Sequence, residues 1–169
     1  MLKWMGLVVA TLLTGNVFAA QYTLVSSQVS KGSADLCAET MKFTLKRGVM
    51  TVESQSELGS HFNFDQSGDT YENLQITHLN GDVEKKSYKT MAHGEHVSVK
   101  RKSTLQNNVL EIQIATKFGR VLYDIAEGYL KISFDDNGMD VQIERSYKSL
   151  IPSSSNWTSA QTCKYALVK

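Results

Sequence analysis

The sequence predicts an all-β chain, an antiparallel up-and-down β-barrel of roughly eight to ten short strands, with a two-sheet β-sandwich as the alternative. Three observations carry this expectation. Apolar and polar residues alternate with period two in segment after segment, the pattern of a strand with one face in a core and one in water. Turn-forming dipeptides separate those segments at near-regular spacing, and no amphipathic helical stretch of convincing length interrupts them. Two cysteines, Cys37 and Cys163, lie near the two ends, so pairing them would bring the first and last strands together.

The clearest segment is Gly128–Tyr147, GYLKISFDDNGMDVQIERSY. Leu130, Ile132 and Phe134 alternate with Tyr129, Lys131 and Ser133, and Met139, Val141 and Ile143 alternate with Asp140, Gln142 and Glu144. A hairpin follows, in one of two registers. A two-residue Asn137-Gly138 turn with positive φ would pair Phe134 with Val141 and set Asp135 opposite Asp140. A four-residue loop from Asp135 to Gly138 would pair Phe134 with Met139 and avoid opposed carboxylates, a gain of up to roughly 1 kcal/mol per pair. Both keep the same residues inside.

From the N-terminus, Lys3, the apolar run Trp4–Leu13 and the small residues Gly15, Ala19 and Ala20 read as a secretory signal, residues 1–20, cleaved near Ala19 or Ala20. The apolar run is shorter than the roughly 20 residues of a comfortable membrane span. Residues 21–169 then form a single domain. Tyr22–Val25 starts a strand, and Ser26–Ser33 reads as a polar loop. Ala34–Thr40 is either a helical turn or a strand. Met41–Lys46 and Val49–Glu53 are strands about an Arg47-Gly48 turn. Phe62 and Phe64 sit at strand spacing, with a turn at Ser67–Asp69. Leu74 and Ile76 lead to Asn80-Gly81, a hairpin-type dipeptide. Asp82–Thr90 is a polar edge strand whose Lys85, Lys86 and Lys89 discourage edge-to-edge association. Val97–Lys102 and Leu110–Ile114 are strands about Asn107-Asn108, and Val121–Ala126 is short and apolar. Pro152, the single proline, opens a serine-rich loop, and Thr162–Lys169 closes the chain as a strand.

Charge argues against one function class. The chain holds 18 basic and 17 acidic residues; without Lys3 the counts are 17 and 17. Neutrality argues against non-specific nucleic-acid binding, which needs a basic surface. In an exported chain, periplasmic or extracellular, two cysteines are most simply one disulfide, Cys37–Cys163. Closing so long a loop is worth roughly 4–5 kcal/mol in the chain-entropy model.

The chemical motifs are sparse. His93-Gly94-Glu95-His96 could join His61 or His78 around zinc, but two histidines three residues apart in a glycine-containing turn do not form the helical i, i+4 arrangement of zinc proteases. Asp135–Gly138 has calcium-loop composition without the alternating oxygen ligands and distal glutamate, and turn chemistry accounts for each residue. No Gly-x-Ser-x-Gly elbow is found. No metal, cofactor or catalytic group is therefore assigned. Lys100-Arg101-Lys102 reads as a solvated strand end. Asn156-Trp157-Thr158 is a glycosylation sequon, with Trp157 either a plug at the barrel end or an exposed contact. A transmembrane barrel is disfavoured because the strands look short and their outward faces carry lysines.

The expected function is binding. An exported soluble barrel could hold a small apolar or lipid-like ligand, with Phe43, Phe62, Phe64, Ile112, Ile114, Leu130, Ile132, Val141 and Ile143 as candidate lining. Plain core packing is the competing role for those residues. A second expectation is an interaction module or inhibitor of an exported protein, acting through the Pro152–Thr162 loop or His93–His96. A metal-dependent enzyme at the histidines is the third.

Overall fold

The computed structural model describes residues 18–32, 36–54, 62, 73–89, 96–119, 124–150 and 156–168. Ten strands follow one another: β1 (Phe18–Lys31), β2 (Thr40–Lys46), β3 (Val49–Ser54), β4 (Asn73–Ile76), β5 (Asn80–Lys89), β6 (His96–Gln106), β7 (Val109–Phe118), β8 (Asp124–Phe134), β9 (Gly138–Lys148) and β10 (Trp157–Leu167). They form one antiparallel sheet in the order β4-β3-β2-β1-β10-β9-β8-β7-β6-β5. Chain neighbours pair throughout, except that β1 also pairs with β10 and no ladder joins β4 to β5. Yet β4 and β5 are linked only by Thr77–Leu79, a connection spanning at most about 14 Å. The two ends of the sheet must therefore lie close, and the sheet curls into a half-barrel. This is the all-β, barrel-like architecture that the alternation predicts.

Side-chain alternation places the core. Along β9 the buried residues are Met139, Val141, Ile143 and Arg145; along β7 they are Leu110, Ile112, Ile114 and Thr116. Their neighbours Asp140, Gln142, Glu144 and Gln113 are exposed on the convex side. Register carries this phase from strand to strand: Ile112 pairs with Leu130, Leu130 with Ile143, and Ile143 with Gln161. One continuous concave face results.

The β8–β9 hairpin takes the four-residue loop, with Phe134 opposite Met139 and Asp135 N donating to Gly138 O at 3.0 Å. Neither Asn137 nor Gly138 has positive φ, which excludes the two-residue turn. Asp135 Oδ1 accepts from Asn137 N and Gly138 N, both at 2.7 Å, so the aspartate itself holds the loop. Gly138 is required for space: a Cβ there would overlap the Tyr165 carbonyl of β10. Among the described residues, the tight turns at Arg47-Gly48 and Asn107-Asn108 do use positive φ.

Several expectations change. Ser26–Lys31 is not a loop but the second half of β1, which runs past its pairing with β2, ending at Thr23, to pair with β10. Polar composition misled there because those residues are exposed. Asn80-Gly81 is no hairpin; it opens β5, with a register irregularity before Val83. Gly128 does not open a strand but lies inside β8. The closing strand starts at Trp157, taking most of the expected loop into β10. Strands of ten or more residues predominate, so shortness no longer argues against a membrane barrel. The edge position of β5 agrees with its polar sequence.

Candidate functional site

The concave face gathers the residues that the sequence singles out. Phe43, Ile112, Ile114, Leu130, Ile132, Val141 and Ile143 project from β2, β7, β8 and β9 into one apolar cluster, and Phe62 joins them. All eight are at most 5 % exposed. Phe64 lies outside the described residues. The alternation also brings in Tyr22 and Phe134, which were not among the expected lining: with Phe43 they form an aromatic trio, Phe43 edge-on to Tyr22 at 5.6 Å and to Phe134 at 5.2 Å. Burial, with a smaller contribution from the charge of Asp135, raises the Tyr22 hydroxyl pKa.

Two pieces of chain outside the ten strands cover this face. The first follows β1: Gly32 lies against Ser159, Leu36 N donates to Gln161 Oε1 at 2.8 Å, Cys37 is bonded to Cys163, and the Ala38 carbonyl accepts from Tyr165 Oη at 3.0 Å. These contacts climb β10 residue pair by residue pair, forming a strap along its inner side. The disulfide expected from two cysteines thus pins a cover, besides joining distant parts of the chain. A buried pair at disulfide distance is compatible with an oxidising compartment.

The second cover is Phe62, which belongs to none of the ten strands. A Cβ on Gly128 would stand 2.9 Å from Phe62 Cε1 and 3.0 Å from Ile114 Cγ2. Gly128 is therefore a notch in the apolar face, and the Phe62 ring fills it. Its inward phase was legible, two residues before Leu130; what fills it was not.

The same row of the sheet carries buried charge. Arg101, opposite Ile114 on β6, is 2 % exposed. Its Nε donates to Glu84 Oε2 at 2.8 Å, and its Nη1 donates to Gln75 O at 2.9 Å and to Phe62 O at 3.4 Å. One guanidinium therefore links β6, β5, β4 and the Phe62 cover across the unladdered seam. The expectation that Lys100-Arg101-Lys102 is a solvated strand end is wrong at its centre: alternation sends both lysines out and the arginine in. Farther along the row, Arg145 pairs with Gly128 on one side and Ser159 on the other. Ser103 Oγ and Ser159 Oγ are buried without a hydrogen-bond partner.

The rim beyond Arg145 is polar and aromatic. Trp157 is 44 % exposed, stacks on Tyr147 at 6.3 Å, and lies 5.5 Å from the Arg145 guanidinium carbon. It is neither a sealed plug nor a free loop residue. Asp124 accepts from Ser149 Oγ and Tyr147 Oη, and these hydrogen bonds, Ser149 first, hold its carboxyl below the usual range. Glu127, Gly128, Tyr129, Glu144, Arg145, Ser146 and Thr158 line an open groove of about 250 Å³, with none of the predicted lining residues in its walls.

Of the histidine cluster, His61, His93 and Glu95 lie outside the described residues. His78 is exposed, 3.9 Å from Glu84, and His96 starts β6. Among the described residues, no three His, Cys, Asp or Glu side chains gather as metal ligands. Among the same residues, no helix is long and apolar enough to cross a membrane. No family model matches the chain, and comparisons with curated proteins and with solved structures return no match.

Proposed function

We propose that this is an exported, soluble half-barrel that binds a small apolar or lipid-like ligand on its concave face and acts by binding, not by catalysis. The observation that carries this reading is how the face is covered. Chain outside the ten strands, not sheet closure, lies over it, so the Gly128 notch can be vacated without breaking a ladder hydrogen bond. Lifting the Phe62 ring out costs about 2–3 kcal/mol of apolar burial, which a ligand of similar apolar area returns. Ser159 Oγ, buried in the same row, offers a hydroxyl to a polar group on that ligand.

A periplasmic or extracellular setting agrees with the disulfide and with the signal-like N-terminus. The convex face supports a water-soluble reading over a membrane barrel: Lys100, Lys102, Glu127, Asp140, Glu144 and Lys164 all stand exposed there. A membrane barrel needs the reverse, an apolar band outside.

The test is organic extraction of protein purified without detergent, followed by titration with a fluorescent fatty-acid analogue. Saturable stoichiometric binding, weakened by Gly128→Val and retained by Phe62→Ala, is expected. Absence of both co-purifying lipid and saturable binding overturns the proposal. One observation favours a second reading, an interaction module with a solid interior: the near-complete burial of the eight described lining residues. Capture of a defined exported protein by lipid-free material, unaffected by Gly128→Val, would establish it.

A further inference from the structure

The convex side of β5, β6 and β7 segregates positive charge. Reading across the ladder, Lys89 faces His96, Ser87 faces Ser98 and then Lys117, Lys85 faces Lys100 and then Ala115, and Val83 faces Lys102 and then Gln113. Lys85, Lys89, Lys100, Lys102 and Lys117 are all exposed. The rungs from Lys89–His96 to Val83–Lys102–Gln113 hold five lysines and no carboxylate; Glu111, one rung farther along β7, lies 3.8 Å from Lys131 of β8. Lys85, Lys89, Lys100 and Lys102 make no ion pair among the described residues, and Lys85 and Lys100 stand directly opposite each other, an arrangement that destabilises a sheet.

Edge protection explains lysines on β5, because β5 is an edge strand. It does not explain Lys100 and Lys102 on β6 or Lys117 on β7, whose strands are laddered on both sides. In a chain with a net charge of only +1, the patch is local segregation and not a by-product of a basic composition.

We propose that this face docks onto an anionic lipid bilayer. Three features select a bilayer. The surface is a laddered sheet presenting a spread of charge, not a cleft shaped around one group. The cations are all lysines, compact point charges suited to a diffuse negative surface, whereas a bidentate phosphate or carboxylate site favours arginine. The exposed Val83 lies on the rim of the patch, where a small apolar group can reach the headgroup region. The docking face also flanks the β4–β5 seam. It does not rest on the ligand-binding reading, although a bilayer would be the reservoir for an apolar ligand.

The experiment is co-sedimentation of the purified full chain with phosphatidylcholine vesicles, with or without about one third phosphatidylglycerol, at low and high ionic strength. Binding to the anionic vesicles alone, lost at high ionic strength, is expected. Lys100→Glu/Lys102→Glu should weaken it at least about 25-fold, from about fivefold per lysine lost. Lys85→Glu/Lys89→Glu should behave similarly, so that a folding defect in one variant does not decide the matter. Lys46→Glu/Lys164→Glu, with the same change in net charge outside the patch, should change it by threefold or less.

Absence of binding to anionic vesicles overturns the proposal, as does equal binding to phosphatidylcholine or an equal loss in the Lys46/Lys164 variant. Displacement of the vesicles by a single-stranded oligonucleotide at matched charge concentration overturns the assignment to lipid. The fatty-acid titration, run on the same variants without vesicles, reads the concave site separately, so either idea can fail alone.

Discussion

Replacing Arg101 with methionine tests how the half-barrel is held shut. The substitution keeps an extended apolar stem but removes the hydrogen bonds from Nε to Glu84 Oε2 and from Nη1 to Gln75 O and Phe62 O. The Glu84 side chain is only 10 % exposed and would keep a hydrogen bond from Thr77 Oγ1 at 3.0 Å. Breaking a buried ion pair by removing one partner costs about 3–5 kcal/mol. With Thr77 still serving Glu84, the lower end, about 3 kcal/mol, is expected. Glu84→Gln combined with Arg101→Met should cost less than the sum of the single changes by about 1–2 kcal/mol, because the double variant buries no unpaired charge. Urea unfolding of all four proteins, with unchanged slopes, supplies the cycle. Amide exchange should accelerate at Leu74–Ile76 of β4 more than at β8, since β4 has only one laddered neighbour. A loss under about 1 kcal/mol, or strict additivity, would refute the view that this guanidinium closes the seam.

Other outcomes follow from features already described. Cys163→Ser should lower stability by roughly 4–5 kcal/mol, and the thermal midpoint by about 10–20 °C, since the bridge spans a sequence separation of 126; an unchanged melt would show that the strap is held by packing alone. Gly138→Ala should cost at least about 1–3 kcal/mol through its clash with the Tyr165 carbonyl. Asn137→Ala, at ordinary φ, should cost less than about 0.5 kcal/mol in the same chemical denaturation. Hydrogen bonds from Ser149 and Tyr147 lower the folded-state pKa of Asp124, so its stabilisation is complete above the unfolded carboxyl value near pH 4 and fades as pH falls through the folded value. Asp124→Asn should flatten that acid limb in melts run as a function of pH, and an unaltered limb would contradict the assignment.

Much of the fold was legible because strand alternation is local. It located the inward faces of β7, β8 and β9 and needed no knowledge of partners. Turn chemistry did less well, since glycine serves two purposes. Gly48 takes positive φ, whereas Gly138 yields space to another strand, and only tertiary contact separates the two roles. The exposed second half of β1 was invisible for a related reason: Ser26–Lys31 has few apolar residues to alternate. The lining residues could be named from phase, but the Phe62–Gly128 contact joins positions with no shared periodicity. Arg101 was readable in principle, because the phase of Val97 and Val99 continues to it. A run of three basic residues drew attention to composition when alternation held the answer.

The pairing of β1 with β10 sets an order of events for a chain emerging from its N-terminus. Ser27 meets Cys163, so the second half of β1 must wait for nearly the whole polypeptide before its ladder can form. Hairpins such as β2–β3 and β6–β7 can assemble while synthesis continues, but the centre of the sheet is completed last. Until then Cys37 has no native partner, and the inner side of the growing sheet lacks its strap. Contacts of such long sequence separation are slow to close, and they leave apolar surface open to misassociation in the interval. The step that finishes this molecule is therefore the one most dependent on protection from misassociation.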